Sequence, residues 1–296
     1  MKHTVGIVGT GNMGGGMAKR LLSQAWTVHT HDMDSLKQNA MQAAGAHVHP
    51  SAAAVAQAAP TVIVCVIDAV QVQQVFDGPV GLLAGLQAGQ TVVMCPTIAP
   101  AQTEDFARQL RDIGVHTVDA PMSGGPIRAA NGSMSLMLAG DAQVLAAQDE
   151  LLQTLSNQCV FISHRMGDGA RVKLVNNLLA GINLVGACEA MVLAEKMGLD
   201  KETALSLIER SSGQNWIGSD RLRRVFAGDT SVGSHMSLLA KDTRLAMESA
   251  QQLGFDGWLG EAAASAFALA CEKGMGSFDD SSMLAFIRNQ KRSSTA

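Results

Sequence analysis

Charged side chains are scarce in this 296-residue chain, at 16% against 47% hydrophobic, which argues against disorder and allows a large core. Basic runs are missing apart from Arg221, Arg223 and Arg224, and the formal net charge is −4. Nucleic-acid binding by bulk electrostatics is therefore not expected. Paired CxxC spacings are missing too. The five cysteines, Cys65, Cys95, Cys159, Cys188 and Cys271, lie far apart, and four sit in apolar surroundings where a free thiol acts as a small hydrophobe. A disulfide framework or zinc site is thereby disfavoured, and a reducing cytoplasm is indicated. No secretory leader pattern opens the sequence, since Lys2 leads directly into a short strand pattern and then glycines. His47 and His49 alternate as on a strand but have no third ligand nearby, so no metal is expected.

What is present is length, glycine and one unusual helix. The length suggests two domains or one large one. After Gly167 and Gly169 the stretch to Gly198 runs without proline, which predicts a helix longer than the usual three or four turns. Lys173, Asn176, Asn177, Asn183 and Glu189 interrupt it, so it does not read as a membrane span. Lys173 and Asn177 stand one turn apart on one face. Gly169, Ala180 and Gly181 share that face, and their small size is expected to leave room beside the amine. An amine and a carboxamide on a mostly buried helix need partners or a ligand. The helix is expected to join two domains, 1–163 and 164–296.

From the N-terminus, Val5 to Val8 reads as a buried strand, followed by Gly9-Thr10-Gly11-Asn12-Met13-Gly14 and a helix to about Ser23. This is G-x-G-x-x-G with a strand before it and a helix after it, the context that gives the pattern meaning. Gly9 permits the tight turn, Gly11 lets the backbone approach a pyrophosphate, and Gly14 lets the helix pack close. Free amides at the helix start favour phosphate. A second strand, Trp26 to His31, ends at Asp32, placed to accept hydrogen bonds from the adenosine ribose. That carboxylate repels the extra phosphate of NADP, and Met33 and Asp34 offer no arginine to counter it, which selects NAD.

Thr61 to Ile67, Thr91 to Met94 and Val115 to Val118 continue as buried strands with helical segments between, and Ser133 to Leu138 and Cys159 to Ile162 add two more. The alternation predicts an α/β fold, a Rossmann-type doubly wound parallel sheet with ligands at the strand carboxyl ends, here Gly9, Asp32, Ile67, Thr97 and Asp119. The loop Asp119-Ala120-Pro121-Met122-Ser123-Gly124-Gly125-Pro126 offers amides and a hydroxyl suited to a carboxylate, though a turn without a ligand reads equally well. Beyond Gly198 only helical patterns follow: Lys201 to Arg210, a less regular region around Asn215 to Ala227, His235 to Leu253, Leu259 to Lys273 and Ser281 to Asn289. An all-α second domain is predicted. By position alone, Lys241-Asp242 reads as a surface pair.

Four runs in fixed order, GIVGTGNMGGGMA, DAPMSGGPIRAANG, GDGARVKLVNN and AKDTRLA, make the chain resemble the β-hydroxyacid dehydrogenase family over nearly its whole length. The run through LLAGINLVGACEAMVLAEKMG and RLRRVFAGD is most similar to the family's L-threonate dehydrogenase branch. The resemblance implies that Lys173 is the catalytic lysine and that Ser123, Gly124 and Gly125 hold a substrate carboxylate. It further implies that Asn177 holds substrate near the lysine, that Thr97 and Lys241 contact the nicotinamide end, and that Val66 and Ile67 make a backbone contact to the cofactor. Departures occur at Met94-Cys95-Pro96-Thr97, where relatives have Asp-x-Ser-Thr, at Ile67 for a common proline, and at Gln71 for a frequent asparagine.

The implied chemistry is hydride transfer between the hydroxyl-bearing carbon of a small hydroxy acid and nicotinamide, with Lys173 as general acid/base. A free lysine amine titrates near about 10.4, and burial beside an oxidised nicotinamide is expected to lower it. An imine reductase on the same scaffold is the alternative, but such relatives generally lack a lysine at the position of Lys173. A non-catalytic NAD-sensing protein is a second alternative. Trp216, Phe226 and Trp258 in the helical part suggest a homodimer or homotetramer interface.

Overall fold

The computed structural model describes residues 3–290. It contains two compact units that divide between Lys173 and Leu174. The first is built on nine strands: β1 Thr4–Val8, β2 Thr27–His31, β3 His47–Val48, β4 Thr61–Val64, β5 Thr91–Met94, β6 His116–Asp119, β7 Met122–Ser123, β8 Ser135–Ala139 and β9 Gln158–Ser163. Their order is β3-β2-β1-β4-β5-β6-β8-β7, with β9 also against β8. The first six strands pair in parallel, in registers such as Val8 with His31 and with Val64. β8 runs antiparallel to β6 and β7, and β9 returns parallel to β8.

Side-chain alternation explains why this sheet is covered on both faces. Val5, Ile7 and Ile63 point into one core with Met17, Leu21 and Leu136. Val8, Val62 and Val64 point into the other with Val55, Phe76 and Leu110. The strand reading thus holds in outline, with two refinements. β4 stops at Val64 and β5 at Met94, so Ile67 and Thr97 stand on the loops beyond the strands rather than at their last residues. β3 and β7, two residues each, are too short to show a pattern in sequence.

The helix Asp168–Lys196 runs 29 residues and passes from the first unit into the second. The second unit adds helices Lys201–Ile208, Trp216–Phe226, Met236–Gln252, Trp258–Ala270 and Met283–Asn289. Leu184, Cys188 and Met191 of the long helix pack there with Met236, Phe267 and Met283. The stretch expected to be irregular is a regular helix from Trp216. Asn215 caps it, its side-chain oxygen accepting the Gly218 amide at 2.7 Å, so residues that read as breakers in sequence serve as the helix start.

Candidate active site

The first glycine turn has the geometry its spacing predicts. Gly9 has φ +92°, and a Cβ there would lie 2.4 Å from the Cys65 carbonyl oxygen, so only glycine fits. A Cβ on Gly14 would lie 2.0 Å from the Gly9 oxygen, which is how the helix Asn12–Ser23 sits so close to its strand. A Cβ on Gly11 would meet nothing within 4 Å. The helix start is therefore open and unshielded, and its first amides have no acceptor inside the helix. Asn12 is exposed there, while Met13 turns its side chain into the core and offers only backbone. These features fit a dinucleotide pyrophosphate.

Asp32, at the end of β2, faces this turn. Its carboxylate accepts the Thr10 amide at 2.7 Å, the Thr10 hydroxyl at 3.2 Å and the Asp34 amide at 2.9 Å. Lys37 adds a cation missed in sequence, 3.9 Å from Asp32 and 3.8 Å from Asp34. Two carboxylates against one ammonium still leave the corner net negative. After β4, Val66 is partly buried, and the Ile67 amide donates to the Gln71 side chain at 3.0 Å. Gln71, a departure from the family pattern, thus holds this loop and occupies the Ile67 N–H. Thr97 lies on the loop after β5, beside the buried Cys95.

Ser123, Gly124 and Gly125 form a strand end that turns directly into a helix, Gly125–Asn131. Gly124 (φ +128°) and Gly125 (φ +74°) occupy backbone regions that disfavour other residues. This helix packs on the one that follows the first glycine turn: a Cβ on Gly16 would lie 3.0 Å from the Ala129 Cβ and 3.2 Å from the Pro126 oxygen. Two motifs more than a hundred residues apart in sequence are thereby held together in the sheet unit.

Asp119 is the residue whose part the sequence concealed. It ends β6, is 2% exposed, and its carboxylate accepts the amides of Gly167 at 3.0 Å and Ala170 at 3.2 Å. It therefore caps the start of the long helix that carries Lys173. Burial pushes its carboxyl up to about 6, although those amides favour the charged form. The small residues beside Lys173 also serve a purpose other than the one expected. A Cβ on Gly169 would meet Asp119 at 2.9 Å and the Met137 carbonyl at 2.8 Å, and one on Gly181 would meet Thr243 at 2.6 Å. Their missing side chains make room for the chain's own walls, not for a ligand.

Lys173 and Asn177 are both buried, at 7% and 8% exposure, one turn apart. Asn177 donates to Asp242 at 2.5 Å and accepts from Asn176 at 3.0 Å. Asp242 in turn accepts from Lys241 at 2.7 Å. Asp242 is only 6% exposed, so Lys241-Asp242 is no surface pair: it is the far end of a buried chain beginning at Asn177. At the outer edge of the sheet, His29 joins His49 at 2.8 Å and stacks on His47. Burial and the neighbouring imidazoles lower the pKa of His29 and of His49. Among the described residues no group of three or more His, Cys, Asp or Glu is arranged to hold a metal ion.

Known proteins match the chain over nearly its whole length. Residues 4–163 match the model of the NAD-binding domain of 6-phosphogluconate dehydrogenase, and residues 167–287 match that of NADP-dependent 3-hydroxyisobutyrate dehydrogenase. An L-threonate dehydrogenase from Cupriavidus necator is 31% identical, over 96% of each chain. Human mitochondrial 3-hydroxyisobutyrate dehydrogenase is 31% identical over 98% of this chain and 88% of its own. The crystal structure of a 3-hydroxyisobutyrate dehydrogenase from Salmonella typhimurium superposes with a TM-score of 0.89 at 29% identity, covering 96% of this chain and 100% of that one. With two matched domains in order, relatives aligned end to end and the glycine turn built as a dinucleotide site, the chain belongs to the β-hydroxyacid dehydrogenases, NAD(P)-binding oxidoreductases acting on CH–OH groups, and groups there with the L-threonate branch.

Proposed function

We propose that the protein is an NAD-dependent dehydrogenase of a small hydroxy acid of three or four carbons, such as L-threonate or 3-hydroxyisobutyrate, with Lys173 as the general acid/base. The observation that carries this reading is the Lys173 amine itself: buried, and borne on a helix whose first turn is capped by the Asp119 carboxylate at a strand end of the dinucleotide-binding sheet. When bound, the nicotinamide dinucleotide supplies the hydride acceptor. In the oxidative direction Lys173 Nζ takes the hydroxyl proton as the C–H bond breaks, and in reduction it returns that proton. Asn177, fixed by Asp242 and Asn176, orients the hydroxyl. The family resemblance assigns Lys241 to the nicotinamide end when the dinucleotide is bound, and Ser123, Gly124 and Gly125 to the carboxylate, which would decide which carbon reacts.

NAD is favoured over NADP by the net negative corner of Asp32, Asp34 and Lys37, where a further phosphate meets two carboxylates and one ammonium. The free thiols suit a reducing cytoplasm. The buried lysine favours a dehydrogenase over an imine reductase, whose relatives generally lack a lysine at this position, and over a non-catalytic NAD sensor. The test is a screen of three- and four-carbon hydroxy acids at 340 nm with each cofactor, repeated on Lys173→Ala. Turnover should fall by about 10²–10⁴-fold while NADH binding, read by fluorescence titration, stays nearly unchanged. A variant that keeps most of its activity refutes the role of Lys173, and an inert wild type across the panel refutes the substrate class.

A further inference from the structure

Four of the eight histidines meet on one face at the outer edge of the sheet. Side chains alternate along a strand. Val28 of β2 enters the core with Ile7, so His29 and His31 stand on the opposite face, level with Gly6 and Val8 of β1. β3 lies parallel beside β2, with His47 level with His29 and Val48 with Thr30. His49, next in line, stands level with His31, and its amide donates to the Thr30 carbonyl at 2.8 Å. Four imidazoles thus form a two-by-two array.

The array is tied together by its own rings. His29 Nδ1 lies 2.8 Å from His49 Nε2, and the His29 and His47 rings stack with centroids 5.1 Å apart. His31 Nδ1 lies 3.0 Å from the His49 carbonyl oxygen, which can only accept, so that nitrogen donates. Between His29 and His49 one nitrogen donates and the other accepts. A second proton on that pair of nitrogens turns the acceptor into a donor, and two N–H groups cannot face each other at that distance.

Among the described residues, no counter-charge covers the array. The helix Ala52–Ala58 lies over this face, so close that a Cβ on Gly6 would come 2.4 Å from Val55, and its run AAAVAQA has no titratable group. β1 has none either. Lys19 and Arg20 belong to the helix Asn12–Ser23, which packs on the other face through Met17 and Leu21. The helix Ser35–Ala43 offers only Lys37, which pairs with Asp32 and Asp34. Asp32 follows His31 but turns its carboxylate to the Thr10 amide. Protons added to the array therefore place like charges side by side.

The array braces the strand that anchors the first glycine turn. The His31 carbonyl accepts the Gly9 amide at 2.9 Å, and Asp32, the next residue, holds Thr10. We propose that the four-histidine face of β2 and β3 is an acid-sensitive latch on the adenosine end of the dinucleotide site. Neutral imidazoles hold β3 to β2, and with it the Gly9 turn and Asp32; their protonation releases that hold and weakens dinucleotide binding. The latch rests on the reading of this turn as a dinucleotide site with Asp32 at the ribose, and not on the identity of the hydroxy acid.

Acid is the releasing condition. Burial first, and then the neighbouring imidazoles, hold His29 and His49 below the ordinary histidine value of 6.5. In the unfolded chain these rings take up protons at a higher pH than in the folded one. Their contribution to stability is therefore complete above pH 6.5 and is lost as pH falls below it. Dinucleotide binding, which favours the braced form, weakens in the same window and by reciprocity sheds protons from the array.

The test is calorimetric titration of the full chain with NAD⁺ at about pH 7.5 and about pH 5.5, with buffers of different ionisation enthalpy used near pH 6 to count protons. Wild-type affinity should fall about fivefold on acidification, with net proton release on binding. The double variant His29→Asn/His49→Gln keeps a donor facing an acceptor but cannot ionise. It should bind NAD⁺ as the wild type does at the higher pH and lose most of the pH dependence and of the proton release. His47→Gln, a change at the exposed corner, should show an intermediate dependence. Asp119→Asn, which removes the other group that titrates near 6, should keep the wild-type dependence. A wild type whose affinity is the same at both pH values overturns the latch alone, as does a pH dependence that disappears in Asp119→Asn. Full dependence in the double variant, or in His47→Gln where the double variant does not fold, overturns it too. A chain that binds no NAD⁺ at the higher pH overturns the dinucleotide reading and the latch with it.

Discussion

The two units hold their polar groups by different means. In the sheet unit, pairs near the strand ends each join a side chain to backbone: Asp32 with the amides of Thr10 and Asp34, Asp119 with those of Gly167 and Ala170, and Gln71 with the Ile67 amide. In the helical unit the buried carboxylates Asp242 and Asp280 are instead fixed by other side chains, in Asn177–Asp242–Lys241 and Arg221–Asp280. Loops and helix starts have amides to spare, whereas the interior of a helix satisfies its own backbone and leaves only side chains to meet there. The sheet unit is thereby tuned through glycines and turns, and the helical unit through charge pairing.

The sharpest way to break this contrast is to remove one member of a buried pair. Arg221 is 14% exposed and Asp280 1%, with Nε 2.5 Å from the carboxylate. Burial pushes the Asp280 carboxyl up while the Arg221 guanidinium holds it down. Arg221→Met strands that carboxylate and should destabilise the protein by about 3–5 kcal/mol, with Arg221→Met/Asp280→Leu recovering most of it in urea unfolding.

The backbone-held counterpart is Asp119, where the expected signature lies in pH. Its folded pKa, about 6, is above the ordinary 3.8, so its contribution to stability is full below pH 3.8 and is lost as pH rises through about 6. That shift corresponds to about 3 kcal/mol. The wild type should therefore lose stability relative to Asp119→Asn between about pH 4 and pH 7, measured as the difference in urea midpoints. A difference that does not vary with pH would show that burial does not govern this carboxyl.

Two glycine substitutions compare the units directly. A methyl on Gly14 runs into the Gly9 carbonyl, which is backbone and cannot step aside. Gly14→Ala should cost up to about 3 kcal/mol and abolish cofactor retention on an immobilised-nucleotide column. A methyl on Gly181 meets the side chains of Thr243 and Phe267, which can shift, so Gly181→Ala should cost about 1 kcal/mol and leave cofactor binding intact. Smallest of all is Gln71→Ala, which frees the half-exposed Ile67 amide and should cost about 1 kcal/mol or less. Its readout is a few-fold rise in the NADH dissociation constant.

The same contrast explains what could be read in advance. The glycine turn, Asp32 and the Ser123-Gly124-Gly125 bend were visible because a backbone demand leaves a mark at one place in the sequence. Asp242 was hidden because its partner Asn177 lies 65 positions away, and an Asp beside a Lys looks the same on a surface as in a core. Asp119 stood in view as a strand end, yet nothing local says that it caps a helix starting 49 residues later. Gly169 and Gly181 were legible as small but not as small for whom.

Sequence by itself determined the strand–helix alternation, the dinucleotide turn and the long helix with its amine, since these follow from residue periodicity and from backbone geometry available to glycine alone. Only the tertiary structure decided which walls the small residues face and which carboxylate caps the lysine's helix. Those outcomes depend on distances between segments remote along the chain, and such distances exist only after the chain has folded.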